Sequence, residues 1–83
     1  MPNVTVRFFA RYAELAGCDT TVVRLSGNSA TVADVLARVR ELIPGARDLP
    51  MRPFAALNMG QVQLDARVKD GDEVALLPPL SGG

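Results

Sequence analysis

The sequence has no histidine and no tryptophan, a single cysteine (Cys18), a single tyrosine and a single lysine (Lys69). Without histidine there is no Ser/His or Cys/His nucleophile pair, and the commonest metal ligand and the side chain that titrates near neutral pH are both missing. A self-contained hydrolase is therefore not expected. One cysteine cannot complete a structural zinc site, and Asp70-Gly71-Asp72-Glu73 is too short and wrongly spaced for a calcium loop, so no metal site is expected. Cys18 cannot form an internal disulfide, which fits a reducing compartment and makes the cytoplasm the expected location.

Charge of one sign is also lacking. Nine basic residues balance nine acidic ones, and no Lys/Arg cluster occurs, so nucleic acid is not an expected partner. Charges interrupt every apolar run well short of the ~18 residues of a membrane span, and Arg7 and Arg11 break up any signal-peptide core. The expectation is a soluble, unprocessed chain with no membrane partner.

What is present suits one small globular domain: 83 residues, 48% apolar and 22% charged. A chain of this size buries about 60% of its unfolded surface, enough for a two-layer core but not for a deep substrate pocket. Residues 4–10 alternate as a strand does, with Val4, Val6, Phe8 and Ala10 on one side and Thr5, Arg7 and Phe9 on the other. Residues 11–16 favour a short helix that Gly17 closes, and the β-branched stretch 20–25 forms a second strand paired with the first. Val32, Val35, Leu36, Val39 and Ile43 recur at helical spacing, with Thr31 as N-cap, Asp34 at the positive end of the helix and Pro44-Gly45 as the stop.

Residues 47–53 contain two prolines and mixed charges and read as a surface connection. Residues 54–58 and 61–64 form a hairpin around Asn58-Met59-Gly60, and residues 73–77 alternate as the last strand. The fold class is then α+β, a mixed sheet of about five strands packed on one main helix with short helical turns. The domain spans residues 1–78, and residues 79–83 form a flexible tail.

The last six residues, Pro78-Pro79-Leu80-Ser81-Gly82-Gly83, carry the most functional information. Neither proline can donate to a sheet ladder, so the chain leaves the body extended. From Pro79 to Gly83 it reaches about 16 Å at ~3.3 Å per residue. Gly82 and Gly83 carry no Cβ and fit a channel too narrow for other residues, ending in a bare carboxylate. A carboxylate is a poor electrophile, so its activation requires a partner that makes an acyl adenylate from ATP. Attack on adenylated Gly83 by sulfur gives a thiocarboxylate and a sulfur carrier; attack by a lysine gives an isopeptide and a protein tag.

A second feature is apolar surface on the sheet face away from the helix. Strand parity turns Phe9 outward beside Arg7 and Leu77 outward beside Ala75, and with Leu80 these form a docking patch rimmed by Arg7, Arg11 and Arg67. Cys18 has no histidine to lower its pKa and reads as an inert loop thiol. Asp70, Asp72 and Glu73 lie in a glycine turn and read as solvated turn residues rather than a catalytic carboxylate cluster.

These residues resemble a known family. Phe8-Phe9-Ala10 with Glu14-Leu15 and Gly17, then Asn58, Asp70-Gly71-Asp72-Glu73-Val74-Ala75 and Pro78-Pro79-Leu80-Ser81-Gly82-Gly83, are similar to the small, sulfur-carrying subunit of molybdopterin synthase. The resemblance covers residues 8–17 and 58–83, and its specific part is the Pro-Pro-x-x-Gly-Gly end joined to the Asp-Gly-Asp-Glu-Val strand. It implies a ubiquitin-like β-grasp fold. It also implies that Gly83 is adenylated by a ubiquitin-activating-like adenylyltransferase using ATP, receives sulfur from a donor enzyme and becomes a thiocarboxylate.

The resemblance further implies that the tail, Pro79, Leu80, Ser81 and Gly82, enters the large catalytic subunit of the synthase in a heterotetramer of two small and two large subunits. There sulfur passes to cyclic pyranopterin monophosphate to build the dithiolene of the molybdenum cofactor. Phe9, Arg11, Leu77 and Pro78 would meet that subunit, no side chain of the chain itself would be catalytic, and no cofactor would stay bound. The chain departs from the family's pattern at Leu77, where an aromatic is frequent, and at Ala13, where an arginine precedes the Glu. Other readings of the same ending are a sulfur carrier for thiamine thiazole or another pathway, a ubiquitin-like modifier, and an interaction module.

Overall fold

Two-residue alternation and one amphipathic helix together build a sheet with a single covered face. The computed structural model describes residues 2–27 and 29–78. Its elements are β1 (Asn3–Phe8), α1 (Arg11–Ala16), β2 (Thr20–Arg24), α2 (Val32–Leu42), a 3-10 turn (Pro44–Asp48), β3 (Phe54–Leu57), β4 (Gly60–Val62) and β5 (Glu73–Leu77). Among the described residues the five strands form one mixed sheet in the order β2-β1-β5-β3-β4. β1 and β5 run parallel at its centre, and the other neighbours are antiparallel. This is the mixed five-strand, one-helix fold that the alternation implied. No helix of the described residues is long and apolar enough to cross a membrane.

Val4, Val6 and Phe8 of β1, Val23 of β2, Ala55 of β3, and Val74 and Leu76 of β5 are buried on one face of the sheet. α2 lays Val32, Val35, Leu36 and Val39 against them. Each such side chain contributes about 1.5–3 kcal/mol when fully withdrawn from water. The helix is fixed at its N-terminus by four bonds. Thr31 Oγ1 accepts from the Asp34 amide while Asp34 accepts from the Thr31 amide, a reciprocal capping box. The amides of Val32 and Ala33 donate to the carbonyls of Ala66 and Leu64. Asp34 thus does more than complement the helix dipole.

Several expectations need correction. The first strand stops at Phe8 rather than residue 10, because Ala10 adopts φ 52° and is exposed instead of continuing the buried row. The second hairpin strand covers Gly60–Val62 rather than residues 61–64. The chain after α2 is not a plain surface connection: Ile43 ends the helix in an extended conformation, Pro44–Asp48 forms a 3-10 turn, and Ala46 and Leu49 are core residues. The Arg40 guanidinium donates to the carbonyls of Leu49 and Pro50 and ties this segment to α2.

The Asn58-Met59 turn joins β3 to β4 with φ 50° and 77°, as a tight two-residue hairpin requires. Asp72 is buried, not solvated. Its carboxylate accepts from the Lys69 amide at 2.8 Å and the Asn58 side-chain amide at 3.0 Å, and Asn58 Oδ1 accepts from the Glu73 amide at 2.9 Å. Asp70 accepts from the Asn3 amide at 2.8 Å, and the Gly71 amide donates to the Asn3 carbonyl. The acidic turn therefore joins the starts of β1 and β5 to the end of β3.

Gly45 has a role beyond stopping a helix. A Cβ built on it would overlap the backbone carbonyl of Leu15, so this position sets how closely α1 approaches the 3-10 turn. Gly45→Ala is expected to destabilise the fold by about 2 kcal/mol and lower Tm by roughly 10 °C. Gly60→Ala, whose Cβ would meet only the Leu57 carbonyl at 3.7 Å, should stay within about 0.5 kcal/mol. Thermal unfolding of both variants checks this, and equal melting temperatures would contradict the packing argument. Thr31→Ala removes half of the capping box and should cost about 1 kcal/mol in denaturant unfolding.

Candidate functional site

The uncovered face of the sheet is organised in rows set by strand register. Leu77 of β5 pairs directly with Phe54 of β3, and the Phe9 amide donates to the Leu76 carbonyl at 3.3 Å. One step beyond the registered pair Phe8 and Leu76, Phe9 therefore lies beside Leu77. Phe9, Leu77 and Phe54 form an apolar row at the end of the sheet from which residue 78 leaves. Phe9 is 41% and Phe54 49% exposed, while Leu77 between them is half-buried.

The next row is Arg7, Ala75, Ala56 and Gln61, and the row after it carries Thr5 and Glu73. Arg7 Nε donates to Glu73 Oε2 at 2.7 Å across these rows. Both partners of this ion pair are substantially exposed, so it orients two side chains and adds little stability. The face thus grades from large apolar groups at the tail end, through flat alanines, to a polar far end. A flat apolar patch with a polar margin is the anatomy of a protein-docking surface.

The sequence places Phe9, Arg11, Leu77 and Pro78 at this end, and the structure brings Phe9 and Leu77 together. Pro78 follows Leu77 and is half-buried, and exposed Arg11 opens α1 two residues after Phe9. Arg67 does not rim the patch. It bridges to Thr31 at the start of α2, in the segment leading to the turn that abuts the starts of β1 and β5, the opposite end from Phe9 and Leu77. Pro79, Leu80, Ser81, Gly82 and Gly83 lie outside the described residues.

Phe54 is the residue that sequence reasoning missed. Phe54-Ala55-Ala56-Leu57 is apolar throughout, so composition cannot tell its two faces apart. The only usable signal was pairing: set antiparallel to β5, Phe54 must fall opposite Leu77. Tyr12 is not available to this face. It is buried in the core with its hydroxyl unpaired, and burial, partly offset by Arg11, pushes its phenol above the ordinary value. Cys18 is a free thiol packed in part against the core.

Residues 6–83 match the model of the ThiS family. The chain is 37% identical to the molybdopterin synthase sulfur carrier subunit of Chlamydomonas reinhardtii, covering 98% of this chain and 99% of that one. Among solved structures it is similar to SAMP1 of Haloferax volcanii, with TM-score 0.85 and 30% identity over 98% of this chain and 99% of that one. It is also similar to a chain in the complex of subunits 1 and 2 of the molybdopterin-converting factor of Helicobacter pylori, with TM-score 0.61 and 27% identity over 98% of this chain and 99% of that one. With a graded apolar face at the end of its last strand, the chain belongs to the ThiS family, among the molybdopterin synthase sulfur carrier subunits.

Proposed function

We propose that this chain carries sulfur on the carboxylate of Gly83 and delivers it, as the small subunit of molybdopterin synthase, to a large catalytic subunit docked on the Phe9–Leu77–Phe54 row. The observation that carries this reading is the row's position. It lies at the end of β5, where Pro78, the last described residue, leaves the sheet, so a partner seated on it would meet the chain at the start of its tail. The full-length identity to a sulfur carrier subunit and the likeness to a solved complex of two converting-factor subunits support the same reading.

The chemistry divides between partners. An activating enzyme brings ATP; the Gly83 carboxylate attacks the α-phosphorus, releasing pyrophosphate and leaving an acyl adenylate. A sulfur nucleophile from a donor enzyme displaces AMP and leaves a thiocarboxylate. In the large subunit the thiocarboxylate sulfur attacks cyclic pyranopterin monophosphate, water cleaves the acyl–sulfur bond so that the sulfur stays on the pterin, and the freed carboxylate returns for another cycle in the cytoplasm. No cofactor stays on the chain. Its own residues dock, project the tail and keep its tip slim: Pro78 and Pro79 hold the exit extended, and Gly82 gives clearance. Leu80 and Ser81 enter the partner's channel with it, and Arg11 completes the polar margin.

A second reading rests on the TM-score of 0.85 to SAMP1, a small archaeal modifier protein. There an acceptor lysine attacks the same acyl adenylate and Gly83 ends in an isopeptide. High-resolution mass spectrometry of the chain recovered from cells, with acidic alkylation and fragment mapping, separates the two. A sulfur-for-oxygen exchange on Gly83 supports the carrier, a branched lysine peptide on another protein supports the modifier, and an unmodified carboxylate after incubation with activating enzyme, ATP and sulfur donor removes the carrier.

Gly82→Ala is expected to lower molybdopterin formation at least 10-fold in a reconstituted synthase, because its methyl group meets the channel wall. A normal rate would remove the narrow-channel argument. Phe9→Ala, Leu77→Ala and Phe54→Ala should each weaken binding of the large subunit by roughly 10-fold or more in calorimetry. Met59→Ala, at the exposed hairpin tip away from the row, should bind normally. Unchanged affinity in all three row variants would place the partner elsewhere.

A further inference from the structure

The two edges of the sheet are not equally protected. β4 has only three residues, begins at Gly60 and is a poor template for another strand. β2 has five, and its Thr20-Thr21-Val22-Val23 run is entirely β-branched. Its pairing with β1 runs from Asn3 with Arg24 to Arg7 with Thr20 without a bulge. It contains no proline and no lysine, and its one charge, Arg24, sits at the end. Among the described residues nothing pairs with its outer side.

The orientation of its backbone follows from two bonds. The Phe8 amide donates to the Asp19 carbonyl and the Leu25 amide to the Pro2 carbonyl, both at 2.9 Å. Alternation in an antiparallel ladder then turns Thr21 and Val23 toward β1. The N–H and C=O groups of Thr20, Val22 and Arg24 face the open edge. The Thr5 amide, which donates away from β2 to the Asp72 carbonyl, confirms the phase. Val22 is also 61% exposed through its side chain.

We infer that β2 is a self-association edge, pairing antiparallel with β2 of a second copy about a twofold axis through Val22. An isologous contact needs a patch complementary to itself. Centred on Val22, the pairing sets Val22 against Val22, and Thr20 against Arg24 in both halves. All three outward-facing residues fall in hydrogen-bonded pairs, about six N–H···O bonds in all. No like charges stand opposite one another, and the two Arg24 side chains lie at opposite ends. The rim of the shallow groove between β2 and α2 is self-complementary in charge as well, with Arg24 and Arg38 balanced by Asp34 and Glu41. With a net charge of zero, two copies do not repel. The product is a continuous ten-stranded sheet that leaves the Phe9–Leu77–Phe54 row and the tail free, so it is independent of the sulfur-carrier reading.

Five residues a side bury less than a standard interface, so the dissociation constant is expected on the order of 0.1 mM. Sedimentation equilibrium of the full chain from about 0.01 to 1 mM should show the average mass rising toward twice the monomer. Val22→Pro tests the geometry: the Val22 N–H bonds nothing within the fold, so its loss leaves the domain folded while removing the central bonds of the pair. The variant should stay monomeric with a melting temperature close to wild type, whereas Thr21→Pro, which breaks an inward bond, should unfold earlier.

Val22→Lys, a change at an exposed position, sets two ammonium groups at the axis. It should weaken association at least 10-fold, with part of the loss recovered at high salt. A wild-type chain that remains monomeric at about 1 mM overturns the inference, as does association of Val22→Lys at wild-type strength.

Discussion

The parallel pairing of β1 with β5 is the constraint on which the rest of the structure depends. Thr5, Arg7 and Phe9 turn their amides toward β5 while Val4, Val6 and Phe8 turn theirs toward β2, so β1 is hydrogen-bonded on both sides. Parallel neighbours cannot be joined by a hairpin; the chain between them must cross over, and here the crossover carries α2 across one face only. One face becomes core and the other is left open. Because both strands run the same way, they end at the same edge of the sheet, which brings Phe9 to Leu77 and sends the chain outward from there. The apolar row and the exit of residue 78 are thus two results of one register.

That register is held at its other end by one buried carboxylate and the polar groups around it. Asp72 accepts from Lys69 and Asn58, Asn58 in turn accepts from Glu73, and Asp70 and Gly71 engage Asn3. A carboxylate withdrawn from water is costly unless its hydrogen bonds are replaced, and here they are. Such a bracket is direction-specific in a way that apolar contact is not: a slip of one residue in β5 would leave Asp72 unpaired and turn Val74 and Leu76 outward. Apolar burial supplies the drive to form the sheet, and the Asn58–Asp72 bracket selects which sheet forms.

Most of this was legible in residue order. Period-two alternation located β1 and β5, a β-branched run located β2, three- and four-residue spacing located α2, and Thr31 marked its start, because each signal is local in the chain. What escaped had its cause far away in the chain. Leu49 looked like a loop residue because the core it joins is built by elements elsewhere in the chain. Asp72 looked solvated because the amide that satisfies it comes from Asn58, 14 residues earlier. Phe54 looked like one more apolar residue because only pairing with Leu77 shows which way it faces. Arg67 was misplaced for the same reason: its bridge to Thr31 is a tertiary fact. The tail beyond Pro78 lies outside the described residues, and the reading of residues 78–83 rests on composition alone: two prolines and two glycines.

The composition that excluded so much at the outset fits this architecture. A chain that activates its own carboxyl group would need a nucleophile or base beside its terminus, and a side chain held there would thicken the segment that, in the proposed carrier, enters a partner's channel. In that proposal activation and transfer are left to partners, which resolves the conflict and shifts the demands on the domain from catalysis to orientation. Orientation in turn asks for a rigid central register and an open face, and it tolerates the absence of histidine and the scarcity of aromatics. Those aromatics are used where orientation is decided: of the three phenylalanines, Phe8 fills the core end of β1, while Phe9 and Phe54 flank Leu77 on the open face.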